Sequence, residues 1–512
     1  MSSLKELRET RLSKLQKLRD LGINPYPSKS SRTNKSGEIL IDFQKFENKN
    51  VVIAGRIMSW REHGNVVFAN LADEDGEIQV FIQKNEMNLE TNKDDQSIGF
   101  RDLKFLDIGD FVEIHGRVIK TVRGETSVSP LMIKLLVKSL RPLPEKWEGL
   151  TDQELIYRKR YLDLIMNSGR REIFTRKAKF WQVSREFMSR NGFIEVETPV
   201  MEHITGGADA KPFETYHNAL DEKFYLRIST ELYQKRLIGG GFEKVFTLGP
   251  NFRNEGIDDE HLQEYYQLEW YWAYANYRDN MKLVRELFSE ISQKVYGKTK
   301  FAAHGMEFDL ADEWDEIDYV EIIKEKLGID IIGDDISKMK DKLKENGIVL
   351  EGESNKARIV DNLWKIIRKT IAGPAFLVNT PKFISPLAKS MEKNSETTER
   401  FQVILAGSEL GNGYSELNDP VDQYERFLAQ QKAREAGDDE AQMMDIDYVE
   451  MLEYGMPPTS GYGQSERVFW FLEGLSAREA TLFPQMKRKI DESVEDLYPE
   501  YFKLVNKNKK DK

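Results

Sequence analysis

Two segments of this chain gather side chains suited to holding anions. FTLGPNFRNEGIDDEHLQEYYQLEWYWAYANY, beginning at Phe246, reads as two extended stretches around a charged turn. It puts Arg253, Glu255, His261, Tyr265, Glu269 and Tyr271 on one hairpin. EYGMPPTSGYGQSERVFWFL, beginning at Glu453, reads as a glycine-bearing strand-to-helix turn that ends in Arg467. A guanidinium is a planar, permanently charged fork that meets carboxylate or phosphate oxygens in pairs, which a lysine ammonium cannot do. Four further stretches bring acids, an amide and glycines that permit close backbone approach: GGADAKPF at 206–213, ISTELYQKR at 228–236, ISPLAK at 384–389 and GNGYSELND at 411–419. Each residue also has a plain reading. An arginine on a strand is usually solvated or salt-bridged, a tyrosine in YYQLEWYWAY usually belongs to a core, and Glu416 alone would be an exposed loop acid. Only their co-occurrence argues for chemistry. The chain has no cysteine, which excludes disulfides, thiolate zinc sites and a cysteine nucleophile.

Something must hold these groups together, and 512 residues are too many for one core, so two to four domains are expected. From Leu4 to Leu21 leucines recur at helical spacing among Lys5, Arg8, Arg11, Lys14, Lys17 and Arg19. This predicts an amphipathic helix whose basic face is either the solvated charged side of a docking helix or a contact for RNA, within an N-terminal segment 1–47. Residues 48–142 turn to short runs rich in Val, Ile and Phe, with Asp75-Gly76 as a hairpin signal and SIGFRDLKFLDIGD as one short helix after the third strand. Five strands so arranged predict an all-β barrel of the OB type, whose open face commonly binds single-stranded nucleic acid. RPLPEKW opens a linker over 143–165. Residues 166–505 mix helices and strands without regular βαβ alternation, which predicts an α+β domain on an antiparallel sheet. Within it the acidic, lysine-rich stretch from about 312 to 372 carries no chemistry, and 506–512 form a basic disordered tail. No apolar run approaches the roughly 20 residues needed to cross a bilayer, and MSSLKELRETRLSKL alternates charges, so a soluble, cytoplasmic protein is expected. The net charge of −12 argues against a protein that coats nucleic acid with its whole surface, while leaving room for a local basic face.

The predicted helix followed by RNGFIEVETPVM, the hairpin and the glycine-bearing turn together resemble the three signature motifs of class II aminoacyl-tRNA synthetases. With the four shorter stretches the likeness is to lysyl-tRNA synthetases in particular, from about residue 4 to about residue 488. The resemblance implies an OB-fold anticodon-binding domain before a class II antiparallel-sheet catalytic domain, acting as a homodimer through the first motif. It implies activation of L-lysine by ATP with Mg²⁺, then transfer to the 3′ end of tRNA(Lys). By the same likeness Arg253 bridges the lysine carboxylate and the α-phosphate, and Arg467 clamps the γ-phosphate and stacks on adenine. Tyr265 offers the opposite adenine face, His261 lies near the phosphates, Glu255 accepts from the adenine amino group, and Glu409 belongs to the ATP and metal site. The lysine α-ammonium falls to the Gly206 region and Glu231, its carboxylate to Arg253 and Asn412, and its ε-ammonium to Glu416 with Tyr271, all oriented by Glu269. Arg56, Arg61, Phe68, Gln79 and Glu125 match anticodon-reading positions, although strand alternation alone leaves Phe68 open to a place inside the barrel.

Two departures stand out. Family members usually carry a glutamate at Gln402, which with Glu409 binds Mg²⁺; here only Glu409 is a carboxylate. The third motif is also about one residue short between Thr459 and Arg467. Competing readings are an aspartyl- or asparaginyl-type enzyme, which would need a cation where Glu416 stands, a paralogue that lysylates a protein factor, and a non-catalytic RNA-binding relative. The last two are disfavoured by the anticodon-type domain and by the presence of both Arg253 and Arg467.

Overall fold

The computed structural model describes residues 3–144, 152–256, 258, 260–349, 355–435, 441–491 and 493–510. The chain divides into two compact units, Met1–Ser168 with Met486–Lys512, and Gly169–Gln485.

In the first unit five strands, β1 (Asn50–His63), β2 (Val66–Ala72), β3 (Glu77–Gln83), β4 (Phe111–Lys120) and β5 (Thr126–Val137), close a barrel in the order β1-β2-β3-β5-β4. The short helix expected after the third strand is the 3-10 turn Phe100–Phe105. Alternate residues such as Ile53, Val67, Ala69, Leu71, Ile78, Val80, Ile114 and Val128 point inward and fill the barrel, as a period-2 pattern demands. Helix α1 (Leu4–Asp20) starts at a capping box between Ser3 and Glu6 and buries Leu15 and Leu18. Part of its basic face docks on the barrel. Arg11 donates to Ser139 Oγ (2.7 Å) and to the carbonyls of Ile108 and Arg141, and Lys14 pairs with Asp107 at 2.7 Å.

The expected boundaries shift in two places. The stretch expected as a linker carries helices Gln153–Arg158 and Arg160–Met166, and residues 145–151 lie outside the described residues. Residues from Met486 onward group with the first unit, not with the large domain, because Met486 packs on Ile156 and Tyr157, and Arg8 and Arg141 both lie over the Tyr498 ring. Helix Pro499–Lys510 runs through most of the stretch expected as a disordered tail.

The second unit is built on one eight-stranded sheet. Its strands are β6 (Ile194–Glu195), β7 (Lys244–Phe252), β8 (Glu264–Ala273), β9 (Asp315–Asp318), β10 (Ala375–Val378), β11 (Arg400–Leu405), β12 (Ser408–Ser415) and β13 (Thr459–Ser465). They run in the order β9-β10-β11-β12-β13-β8-β7-β6, antiparallel except at the two edges. Helices α2 (Ser168–Arg190) and Tyr277–Ile291 cover one face, where Phe180, Phe187, Phe246, Trp270, Leu287, Phe288 and Phe401 make the main core. The other face is left open in its middle. Among the described residues no helix is long and apolar enough to cross a membrane.

Candidate functional site

Strand alternation sorts the hairpin into two faces. β7 and β8 pair without interruption from Lys244–Trp272 to Phe252–Glu264. Leu268 and Trp270 therefore enter the core, while Tyr265, Gln267, Glu269 and Tyr271 turn to the open face. There they meet Asn412 and Tyr414 of β12 and Arg400 and Gln402 of β11, around a cleft of about 420 Å³. The third motif runs straight. β13 pairs with β8 from Ser465–Gln267 to Thr459–Ala273 without a bulge, so the missing residue leaves an unkinked strand. Its glycines keep the floor clear: a Cβ on Gly461 would collide with the Tyr271 ring and with Glu416 Oε1. Of the residues expected to hold ATP, amino acid or metal, Glu231, Arg253, Glu255, His261, Tyr265, Glu269, Tyr271, Gln402, Glu409, Asn412, Glu416 and Arg467 line this one cleft. Gly206 does not. It packs on Leu232, one residue before the part of its loop, Gly207 to Asp209, that reaches the cleft.

One end of the cleft is acidic and dry. Glu231, Glu269 and Glu416 are 3%, 4% and 1% exposed. Glu269 accepts from Tyr271 Oη (2.8 Å), Thr230 Oγ1 (2.9 Å) and Gln267 Nε2 (2.9 Å), so its orientation is set before any ligand arrives. Burial, reinforced by Glu231, pushes its carboxyl up. Burial also pushes Glu416 well above the usual carboxylate range, against the pull of Lys235. Lys235 is wholly buried on helix α3 (Glu231–Gly239), pairing with Glu231 at 2.5 Å and with Glu416. Tyr414 also donates to Glu231 at 2.7 Å. Asn412 Oδ1 accepts from Arg400 Nε at 2.7 Å, which leaves the amide NH₂ as the group it can offer a ligand. Lys235, Tyr414 and Arg400 were absent from the sequence reading. The first was legible as an i,i+4 partner of Glu231; the others depend on strand pairing across the sheet.

The other end is built for anions. The Arg253 guanidinium stands 5.5 Å from the Tyr265 ring centroid, and its Nε is buried without a hydrogen-bond partner. A buried guanidinium donor left unpaired is costly, so the geometry calls for an anion there. Arg467 opens helix α5, with α4 at Lys356–Arg368 and α5 at Arg467–Glu473. Its guanidinium pairs with Glu260, a further residue that sequence reading missed. His261 is held by Asp258 at 2.7 Å. Glu409 accepts from Trp364 Nε1 at 2.6 Å and pairs with Arg368 at 3.2 Å. The stretch from 312 to 372, expected to carry no chemistry, thus supports the cleft wall through α4. Nothing local in the sequence signals this, because the partners lie far apart along the chain.

Among the described residues no three acids, histidines or cysteines converge as a metal cage. A hard dication takes roughly six oxygen donors. The protein offers one carboxylate, Glu409, engaged on both oxygens, and the neutral Gln402 amide. If Mg²⁺ binds here, Glu409 and Gln402 would be the residues to hold it, and they would supply only a minority of its oxygen donors.

On the barrel, Arg61, Phe68 and Phe81 form one cross-strand row and Asn70, Gln79 and Ser127 the next. Phe68 lies between the inward-pointing Val67 and Ala69, so it faces outward, with the Phe81 ring 5.0 Å away. Gln79 donates to Glu125 at 2.9 Å and accepts from Ser127 at 2.9 Å, which joins it to the expected set. Arg56 stands apart, taken up by the Phe111 ring (4.2 Å) and the Gly109 carbonyl (3.1 Å).

An antiparallel sheet with motif-bearing arginines over an open cleft, preceded by an OB barrel, defines a class, and sequence comparison agrees. The chain belongs to the family described as tRNA synthetases class II (D, K and N), whose family model matches residues 152–487. Residues 51–143 match the model of an OB-fold nucleic acid binding domain. Similar proteins include the lysine–tRNA ligase of Thermotoga maritima, 43% identical over 500 residues that cover 96% of this chain and 98% of the relative. Those of Carboxydothermus hydrogenoformans (44% over 488 residues, 94% and 98%) and Pelotomaculum thermopropionicum (45% over 490 residues, 94% and 95%) are alike.

Proposed function

We propose that this chain activates L-lysine with ATP to lysyl-adenylate and transfers the lysine to the 3′ end of tRNA(Lys). The observation that carries this is the dry end of the cleft, where three buried carboxylates face one buried ammonium. Three acids against one cation suit a substrate with two ammonium groups, beside an arginine with an unpaired donor for its carboxylate. An aspartate or asparagine pocket would need the opposite charge or none.

The attacking carboxylate is already ionised at neutral pH, so no general base is required. Catalysis then rests on holding two anions together and on stabilising charge at the phosphorus and the departing pyrophosphate. Arg253 bridges carboxylate and α-phosphate. Arg467 takes the γ-phosphate in exchange for Glu260, and Tyr265 with Arg467 encloses adenine, whose amino group Glu255 meets. His261 lies beside the phosphates. Bound Mg²⁺, with Glu409 as its carboxylate, would supply neutralising charge on the triphosphate. Asn412 and Glu231 with the Gly206–Gly207 loop fix the lysine backbone groups, and Glu416 with Tyr271 takes the ε-ammonium. Arg61, Phe68, Gln79 and Glu125 read the anticodon, with Arg56 as a structural neighbour. The reading is of a cytoplasmic homodimer joined through the first motif.

ATP–pyrophosphate exchange with each of the twenty amino acids tests the assignment. Lysine should support exchange without tRNA, since every activation residue lies in the second unit. Exchange with aspartate or asparagine but not lysine rejects it.

Phe68→Ala should weaken tRNA charging roughly 5- to 150-fold, the worth of about 1 to 3 kcal/mol for one base stack. Lysine-dependent exchange should stay within twofold, because no activation residue is touched. Equal damage to both activities means that Phe68 serves the barrel's own packing.

A further inference from the structure

Lys235 is given no substrate group to hold in the chemistry above, yet its side chain is wholly buried and its ammonium touches two carboxylates of the amino-acid pocket. It lies one helical turn after Glu231, whose Oε1 it meets at 2.5 Å, and it also pairs with Glu416. Three rings wall it in: Tyr271, Tyr414 and Tyr448, with centroids 5.8, 5.5 and 5.8 Å from Nζ. A buried ammonium is costly unless it is closely paired, so its place beside the ligand-facing acids demands a reason.

Resting on the lysine-activating reading, we propose that Lys235 is a positioning residue that sets the pocket's charge. It offsets one of three buried acids, matching the pocket to the two ammonium groups of lysine, and it holds Glu416 in place and favours its ionised form.

The surroundings favour this balance. Around Glu416 stand Glu231 and Lys235 on α3, Glu269 and Tyr271 on β8, Tyr414 on β12 and Tyr448 on helix Ile446–Tyr454. Burial pushes all three tyrosine hydroxyls above their usual range, so they stay neutral near pH 7. Arg400, beside Tyr414, is occupied by Asn412, Ser385 and the Ile384 carbonyl, and Arg236, beside Tyr448, by Asp445 and Asp447. That leaves the three acids and Lys235 to decide the charge. Burial, Glu231 and Glu269 push the Glu416 carboxyl up, and Lys235 pulls it down. Removing the cation should therefore push the Glu416 carboxyl up further, and a neutral Glu416 holds an ammonium poorly. The sign follows: a pocket that needs an ionised acid works better as pH rises, and loss of Lys235 moves that rise to higher pH.

The test is the pH profile of lysine-dependent exchange, from about pH 5.5 to 9, in full-length Lys235→Gln and its parent. The acid limb of kcat/KM for lysine should move up by about one pH unit or more. That is a roughly tenfold loss at the acid end that fades toward the alkaline end, with KM for ATP unchanged. Lys235→Gln/Glu231→Gln removes the cation together with one acid. Its limb should return to within about half a unit of the parent, although its absolute rate is lower. An unmoved limb in Lys235→Gln, or a loss uniform across pH, overturns the proposal and leaves Lys235 a packing residue. If Lys235→Gln does not fold, the double variant decides: a parental limb supports the proposal and a displaced one overturns it. A parent that shows no exchange with lysine at all refutes the functional reading itself, which separates the two failures.

Discussion

Glu416→Gln is expected to lower kcat/KM for lysine by roughly 30-fold to several thousand-fold while ATP binding barely changes. The site explains both halves. Glu416 is 1% exposed, and the space beside its Oε1 is open only because residue 461 is a glycine, so the substrate's ε-ammonium arrives there stripped of water. The Tyr271 hydroxyl donates to Glu269, so Tyr271 can only accept from that ammonium and cannot replace the lost charge. Gln keeps the shape of the side chain. It leaves the ε-ammonium beside the Lys235 ammonium with no carboxylate of its own, a loss on the order of 2 to 5 kcal/mol. Arg253, Tyr265 and Arg467 stay as they were, which keeps KM for ATP. An acid that only decorated a loop would cost about 0.5 kcal/mol or less. Exchange by a folded Glu416→Gln protein within a factor of three of the parent removes Glu416 from the pocket.

Arg253→Lys should cut the rate of lysine-dependent exchange by about 10² to 10³ while the protein stays folded, as when one preorganised donor to a charged transition state is lost. Within the protein itself Arg253 supports little: its Nε has no partner, and its main neighbour is the Tyr265 ring. Stability should therefore change little. What is lost is the planar fork that can meet a carboxylate and a phosphate at once, which one ammonium cannot do. The loss should fall on kcat more than on either KM, because the bridge matters most when charge passes between the two anions. An exchange rate within tenfold of the parent means that another cation makes the bridge, and Arg400, in the same cleft, is the candidate.

Much of the architecture was legible because it rests on short periods. The β2 run alternates cleanly, β1, β4 and β5 do so between bulges, and in the 264–273 strand the odd residues Tyr265, Gln267, Glu269 and Tyr271 had to share a face. Phe68 shows the limit of that reading. Its parity relative to Val67 and Ala69 was visible, but which parity faces the barrel axis depends on closure of β1 against β4, a pairing of residues far apart in sequence. The end of the chain was misplaced for a similar reason: a basic, polar tail carries no local sign that Met486 and Tyr498 find partners in the first unit.

The sequence by itself determined the kinds of chemistry available: arginines for anions, acids for ammonium groups, no thiol, and an amide at 402 where a second metal carboxylate was expected. These are properties of side-chain type and close spacing, and they survive any arrangement that brings the segments together. Only the tertiary structure decided who neutralises whom. Glu416 meets Lys235, Arg467 meets Glu260, Asn412 meets Arg400, and Glu409 meets Trp364 and Arg368 from a helix that looked inert. The physical reason is that charge strength depends on burial and on the nearest counter-charge. Both are set by packing between strands and helices that are remote in the chain, so no spacing rule could supply them.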